Sequence, residues 1–281
     1  MKIFRALLCV LFSLSTFLFA TGQEIKNPNG YIQLFQVSSD LPTASDKYIY
    51  ENDTIKVTYY FWGNRGIMQI SVFNKLNAPI YIDWKKSSMM SGVNTLVYGY
   101  EGLIKSDNAK LYKSYLHEGR SLGTMDYESD YQMGGGTSGK KKAETMTEVK
   151  AKGFYMSLRF HLVPNEFFKF ETTATSVSEM RNDNAKQTTQ VYEAKFDSAN
   201  SPLKFSSLIV YSITKDFAVE KKIDNKFWVG MVREMDAKHF MGEKTGKTPE
   251  GYPIFKFPYR KSMNFYIEVD KKNAVAPRVG K

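Results

Sequence analysis

Apolar side chains recur at every second position in stretch after stretch of this chain, and few folds accept that pattern. Between Thr54 and Phe61 the residues Ile55, Val57, Tyr59 and Phe61 point one way, while Thr54, Lys56 and Thr58 point the other, because an extended strand alternates its side chains between two faces. The turn-forming run Trp62-Gly63-Asn64-Arg65-Gly66 then leads to Met68, Ile70 and Val72, the spacing of a β-hairpin. Asn74 to Pro79 makes a second turn before Ile80, Ile82 and Trp84. Pro79 has no N–H to donate and suits a strand's first position. Residues 54–84 are therefore expected to form a three-stranded meander. The same period governs Phe154, Met156, Leu158, Phe160 and Leu162, then Phe168 and Phe170, then Leu203, Phe205, Ile209, Tyr211 and Ile213, and finally Met263, Phe265, Ile267 and Val269.

Strands with one apolar and one polar face belong to antiparallel sheets, and two such sheets hide their apolar faces against each other. The expected fold is all-β, an antiparallel β-sandwich with one or two short helices. Helical spacing is confined to Val232–Met241, where Gly242 closes the last turn, and more weakly to Ala109–Leu116. Residues 121–152 are polar, with Gly134-Gly135-Gly136 and Lys140-Lys141-Lys142, and read as a flexible loop; residues 271–281 read as a disordered tail. The loop falls between two β-rich halves, 24–120 and 153–270. It fits either two Ig-like halves or one sandwich with a long insertion. Three Trp, 18 Tyr and 20 Phe among 281 residues, with only 24% charged, exclude wholesale disorder.

The first 22 residues read as a signal peptide. Lys2 and Arg5 precede an apolar run from Ala6 to Phe19, and Ala20 and Gly22 supply small side chains ahead of a cut before Gln23. The run is shorter than the roughly 20 residues a membrane-spanning helix requires. Cleavage would remove Cys9, the chain's single cysteine, and lower the formal charge from +10 to +8. Such a chain has no disulfide and no thiolate chemistry. It is expected to be exported to the periplasm, the outer membrane or the exterior, with no transmembrane span after cleavage and no nucleic-acid partner. Excess positive charge favours association with acidic glycans or lipid headgroups.

The signatures of catalysis are missing. Gly134 to Lys140 has the glycine-to-lysine spacing of a phosphate loop, but Lys141 stands where a Ser or Thr would hold magnesium. Gly246-Lys247-Thr248 ends correctly, yet Met241 occupies the first glycine's place, and Pro249 and Gly251 oppose a following helix. His117, His161 and His239 are dispersed, no two at metal-binding helical spacing, and no G-x-S-x-G elbow is present. No catalytic residue, metal site or cofactor is assigned. The candidate binding residues are strand aromatics and one acid: Tyr60, Trp62 beside the hairpin loop, Tyr81, and Asp83, which shares a face with Tyr81 and Lys85. Exposed Tyr and Trp offer rigid contact area with a polar handle. Their competing explanation is ordinary strand propensity. For Asp83 the competing role is a solvent-face acid beside lysine.

Tyr48-Ile49-Tyr50-Glu51-Asn52-Asp53 with the strand after it, and Asn74-Lys75 with Ala78-Pro79-Ile80-Tyr81-Ile82-Asp83-Trp84-Lys85-Lys86-Ser87-Ser88, resemble a group of uncharacterised secreted proteins of the Bacteroidota. Leu162-Val163-Pro164-Asn165 and Ser201-Pro202-Leu203 are similar but less specific. The resemblance covers mainly residues 48–92 and implies an exported β-rich envelope protein, with no functional residue to transfer. The expected role is non-enzymatic binding of an envelope protein or glycan. The alternative is a hydrolase acting on envelope polysaccharide through a carboxylate pair.

Overall fold

The computed structural model describes residues 25–92, 94–98, 115–117, 120–127, 141–162, 167–170, 174–248, 251–270 and 273–274. The expected signal peptide and most of the expected tail lie outside them. Every strand pair is antiparallel.

A large sheet runs β12 (Thr175–Met180), β13 (Thr188–Lys195), β15 (Lys221–Asp236), β14 (Lys204–Ser212), β6 (Ile80–Ser91), β10 (Lys141–Val149) and β9 (Arg120–Tyr127). In it, β1 (Tyr31–Ser38) pairs with both β15 and β18 (Asn264–Val269), and β7 (Asn94–Val97) pairs with β6. The smaller sheet runs β2 (Thr43–Ala44), β3 (Lys47–Glu51), β4 (Ile55–Tyr60), β5 (Ile67–Asn74), β11 (Phe154–His161) and β8 (Tyr115–His117). A separate hairpin joins β16 (Lys244–Lys247) to β17 (Pro253–Phe255), and α1 (Ala237–Met241) follows β15 directly. Among the described residues no helix is long and apolar enough to cross a membrane.

The two sheets face each other across one main apolar cluster. Val57, Tyr59, Phe61, Ile70 and Val72 come from the small-sheet side, and Ile82, Trp84, Ile209, Tyr211 and Phe227 from the large. Phe227 receives the rings of Tyr59 and Phe61 edge-on, at centroid distances of 4.9 and 5.3 Å. Each sheet draws strands from both sides of residue 121, so the fold is one sandwich rather than two Ig-like halves.

A second cluster lies on the other face of the large sheet, where Ile32, Leu34, Val191, Met235 and Tyr266 are covered by Phe240 and Met241 of α1. This explains why β18 is buried on both faces, at Phe265 and at Tyr266 alike.

Several expectations need correction. Strand β6 does not continue the β4–β5 hairpin as a meander; it crosses to the large sheet, and β11 takes its place beside β5. Asn74 pins the crossing. Its buried amide donates to the carbonyls of Ala78 and Lys150 at 2.7 and 2.9 Å and accepts from the Leu76 N–H at 2.9 Å. Residues expected as a flexible loop form strands: β9 and β10 pair with each other, and β10 pairs with β6. The polarity of this stretch hides Thr147 and Val149, both fully buried. Residues 134–140 lie outside the described residues.

Helix is shorter than expected, because Val232–Asp236 completes β15 and only Ala237–Met241 is helical. Neighbours on both edges of that strand, β1 and β13, supply backbone partners that outweigh local spacing. Of Ala109–Leu116, Tyr115 and Leu116 belong to β8, and the rest lies outside the described residues. On β11, Tyr155 is fully buried and Phe154 is 40% exposed, the reverse of the expected face. A register break between Leu158 and His161 is what allows Tyr155 and Leu162 both to reach the core.

The turn before β5 depends on a glycine. Gly66 has φ +67°, and an added Cβ would lie 2.8 Å from Cγ of buried Phe265. Gly66→Ala is therefore expected to destabilise the protein by about 1–3 kcal/mol, through left-handed strain and the clash together. A urea midpoint equal to that of the parent chain would contradict this.

Candidate functional site

The four residues singled out in the sequence do not meet. Tyr60 ends β4 of the small sheet and Trp62 beyond it packs on the second cluster, whereas Tyr81 and Asp83 lie on β6 of the large sheet, opposite in phase to the buried Ile82 and Trp84. Trp62 stacks at 5.9 Å on Phe240 and lies 5.4 Å from Tyr266, so it roofs the second cluster. Tyr60 is half-buried beside Arg260; burial raises its phenol pKa, and the guanidinium opposes that shift. Tyr81 is half-buried between Glu148 and Ser212 on the neighbouring strands.

Asp83 shapes backbone. Its Oδ1 accepts the N–H groups of Lys85 and Lys86 at 2.9 and 3.1 Å, folding a bulge between the pairs Asp83–Val210 and Ser88–Leu208. Ser87 closes that bulge by donating to the Asp83 carbonyl and accepting the Val210 N–H at 2.9 Å. Of the phosphate-loop matches, Gly246 and Lys247 lie in β16, and β17 is the next element among the described residues. Among the described residues no group of three or more His, Cys, Asp or Glu could hold a metal.

The structure instead gathers polar groups where β12, β13, β15 and α1 meet. An open cleft of about 780 Å³ is lined by Arg181, Asp183, Asn184, Gln187, Gln190 and Lys238, together with Tyr31, Tyr192 and Asp236. The turn 181–187 joining β12 to β13 forms one wall, and its charges are fixed rather than loose. Arg181 binds Asp183 through both oxygens at 2.9 and 3.0 Å and reaches Asp236 at 3.2 Å. Asp236 also caps α1, accepting the His239 N–H at 2.9 Å on one oxygen and the Thr189 hydroxyl at 2.7 Å on the other. The hydrogen bonds from Arg181 hold the Asp183 carboxyl below the usual carboxylate range, outweighing its desolvation.

Behind the wall lies a second polar layer. His239 is 1% exposed. Its Nδ1 accepts the Asn182 N–H at 3.1 Å, and the Asn182 amide donates to the His239 carbonyl at 3.1 Å. Because Nδ1 accepts, the proton of the neutral ring sits on Nε2. From there it donates to the Tyr259 hydroxyl at 2.7 Å, and that hydroxyl donates onward to Glu179 at 3.3 Å. Glu179 is paired with Arg233, whose guanidinium stacks 5.4 Å from the centre of the Tyr259 ring.

Sequence reasoning put His239 within the expected helix Val232–Met241 but not in this network, and missed the cleft. One signal was present: Arg181-Asn182-Asp183-Asn184 is a polar turn between two strands. No family model, no curated protein and no solved structure matches this chain.

Proposed function

We propose that this chain is an exported envelope binding protein whose cleft takes a glycan segment. The single observation that carries the reading is the cleft's lining of prepaired charges, side-chain amides and two tyrosines. Sugar hydroxyls donate and accept at once, so they suit a wall presenting fixed carboxylate oxygens beside amide N–H groups. Tyrosine rings add apolar contact for the faces of sugar rings. An apolar ligand would find little to bury here.

Export and envelope residence rest on the leader-like first 22 residues and on the resemblance over residues 48–92. Binding is favoured over hydrolysis because a general acid needs a carboxyl held protonated. In this cleft Arg181 drives Asp183 the opposite way.

A glycan array probed with the full chain should select a narrow set of oligosaccharides. Gln190→Ala and Lys238→Ala, both at exposed lining positions, should each weaken binding about 5- to 30-fold, the loss of one or two hydrogen bonds. Trp62→Ala, away from the cleft, should leave affinity unchanged. An array without selective retention, or lining variants that bind like the parent, would sink the reading.

A further inference from the structure

We propose that His239 is a proton-operated latch on the cleft, holding the 181–187 turn against α1 while neutral and loosening it when protonated; this deepens, and rests on, the reading of that turn as a ligand wall. Asn182 is the pin. It sits between the lining residues Arg181 and Asp183, and both its backbone N–H and its side-chain amide bond to His239. The imidazole is buried and its two nitrogens are committed, Nδ1 to the Asn182 N–H and Nε2 to the Tyr259 hydroxyl.

A proton arriving on the neutral ring has one place to go, Nδ1, where it meets another donor. The imidazolium therefore cannot keep the bond from the Asn182 N–H, and of the two Asn182 ties to His239 only the amide-to-carbonyl bond is left. The remaining ties, from the Asn182 amide to the His239 carbonyl and from Arg181 to Asp183 and Asp236, are part-buried like the bond that is lost, so the turn is held by fewer bonds and opens more often.

Charged and titratable groups reach His239 from every element around it. Glu179 on β12 and Asp236 at the end of β15 favour the imidazolium, and Arg233 on β15 opposes it. His239 in turn favours the ionised form of Asp183 in the turn. Tyr259 holds its own proton more tightly than usual because of burial, so it remains a neutral hydrogen-bond partner. Burial is the largest influence and pushes the ring below the ordinary histidine range. The sign follows. With the latched pKa below that of the released ring, latching is strongest above about pH 6.5 and weakens as pH falls.

Amide exchange of the ligand-free full chain, followed by NMR between about pH 7.5 and 5, tests the latch. The protection factor of the Asn182 amide is expected to fall about tenfold per pH unit below about 6.5, until latched His239 itself titrates. The Val57 amide in the core should hold its protection. His239→Gln, whose side-chain oxygen can still accept the Asn182 N–H without titrating, should flatten the profile. In the unmodified chain, imidazole ¹⁵N shifts should show an unprotonated Nδ1 at the upper pH, a readout independent of whether the variant folds. Protonated Nδ1 at that pH, or Asn182 protection that stays constant or moves in parallel with Val57, would overturn the latch. Because no ligand is present, the two ideas fail separately: pH-dependent release without glycan retention sinks only the glycan reading, and glycan binding with a flat Asn182 profile sinks only the latch.

Discussion

Replacing Trp84 by alanine is expected to lower the unfolding free energy by about 3–5 kcal/mol, measured by urea denaturation. Trp84 is fully buried on β6 and spans the interior between the sheets. Its ring lies 5.5 Å from Tyr155 on β11 and 6.1 Å from Tyr98. Its indole N–H donates to the buried Thr147 hydroxyl at 2.7 Å. Alanine removes the contacts between sheets, leaves a cavity and takes the indole donor away from that hydroxyl, and the rigid strands on either side prevent full collapse. Trp84→Phe should recover most of the loss, leaving about 1–3 kcal/mol for the lost indole hydrogen bond. A cost below about 1 kcal/mol for the alanine variant would mean that Trp84 does not join the two layers.

Gln33→Leu should cost about 2–4 kcal/mol, although leucine is apolar and the site is fully buried. The Gln33 amide donates to the Phe168 carbonyl at 2.7 Å and to Glu234 at 2.8 Å, and its oxygen accepts the Phe168 N–H at 2.7 Å. Leucine deprives the buried Glu234 carboxylate of that donor and leaves both Phe168 backbone groups without this partner. Adding Glu234→Leu should restore part of the stability, because removing both members of a buried polar pair costs less than removing one. The check is a double-mutant cycle by urea denaturation. Strict additivity of the two substitutions would show that Gln33 and Glu234 are not coupled.

Glutamine at position 33 illustrates why the site was harder to read than the fold. In the sequence it is simply the polar member of an alternating strand, with Ile32 and Leu34 on either side. In the protein its face is covered, so the polar position is interior. Tyr266 and Tyr155 repeat the lesson. Both fall on faces that alternation assigns to solvent, yet each is buried, Tyr266 beneath α1 and Trp62, and Tyr155 against Trp84. Aromatics suit a wet face and a covered one equally well in a strand.

Asp83 shows the converse. It drew attention as an acid sharing a strand face with Tyr81 and Lys85, but its carboxylate is occupied with the N–H groups of its own bulge. The cleft escaped detection for a related reason. Arg181, Thr189, Asp236 and His239 come from a turn, a neighbouring strand and a helix start as far as 58 residues away, and no local spacing links them.

Period-two alternation was enough to establish an all-β antiparallel chain with little helix, because the pleat makes every second side chain share a fate and each strand must hide one side. It could not say which strand lies beside which, since the backbone hydrogen bonds that join strands carry no side-chain identity. Assembly of the whole molecule sent β6 to the large sheet, roofed that sheet's far face with α1, and brought His239 under the cleft wall. Those outcomes follow from competition among all strands for the same partners and the same covered area.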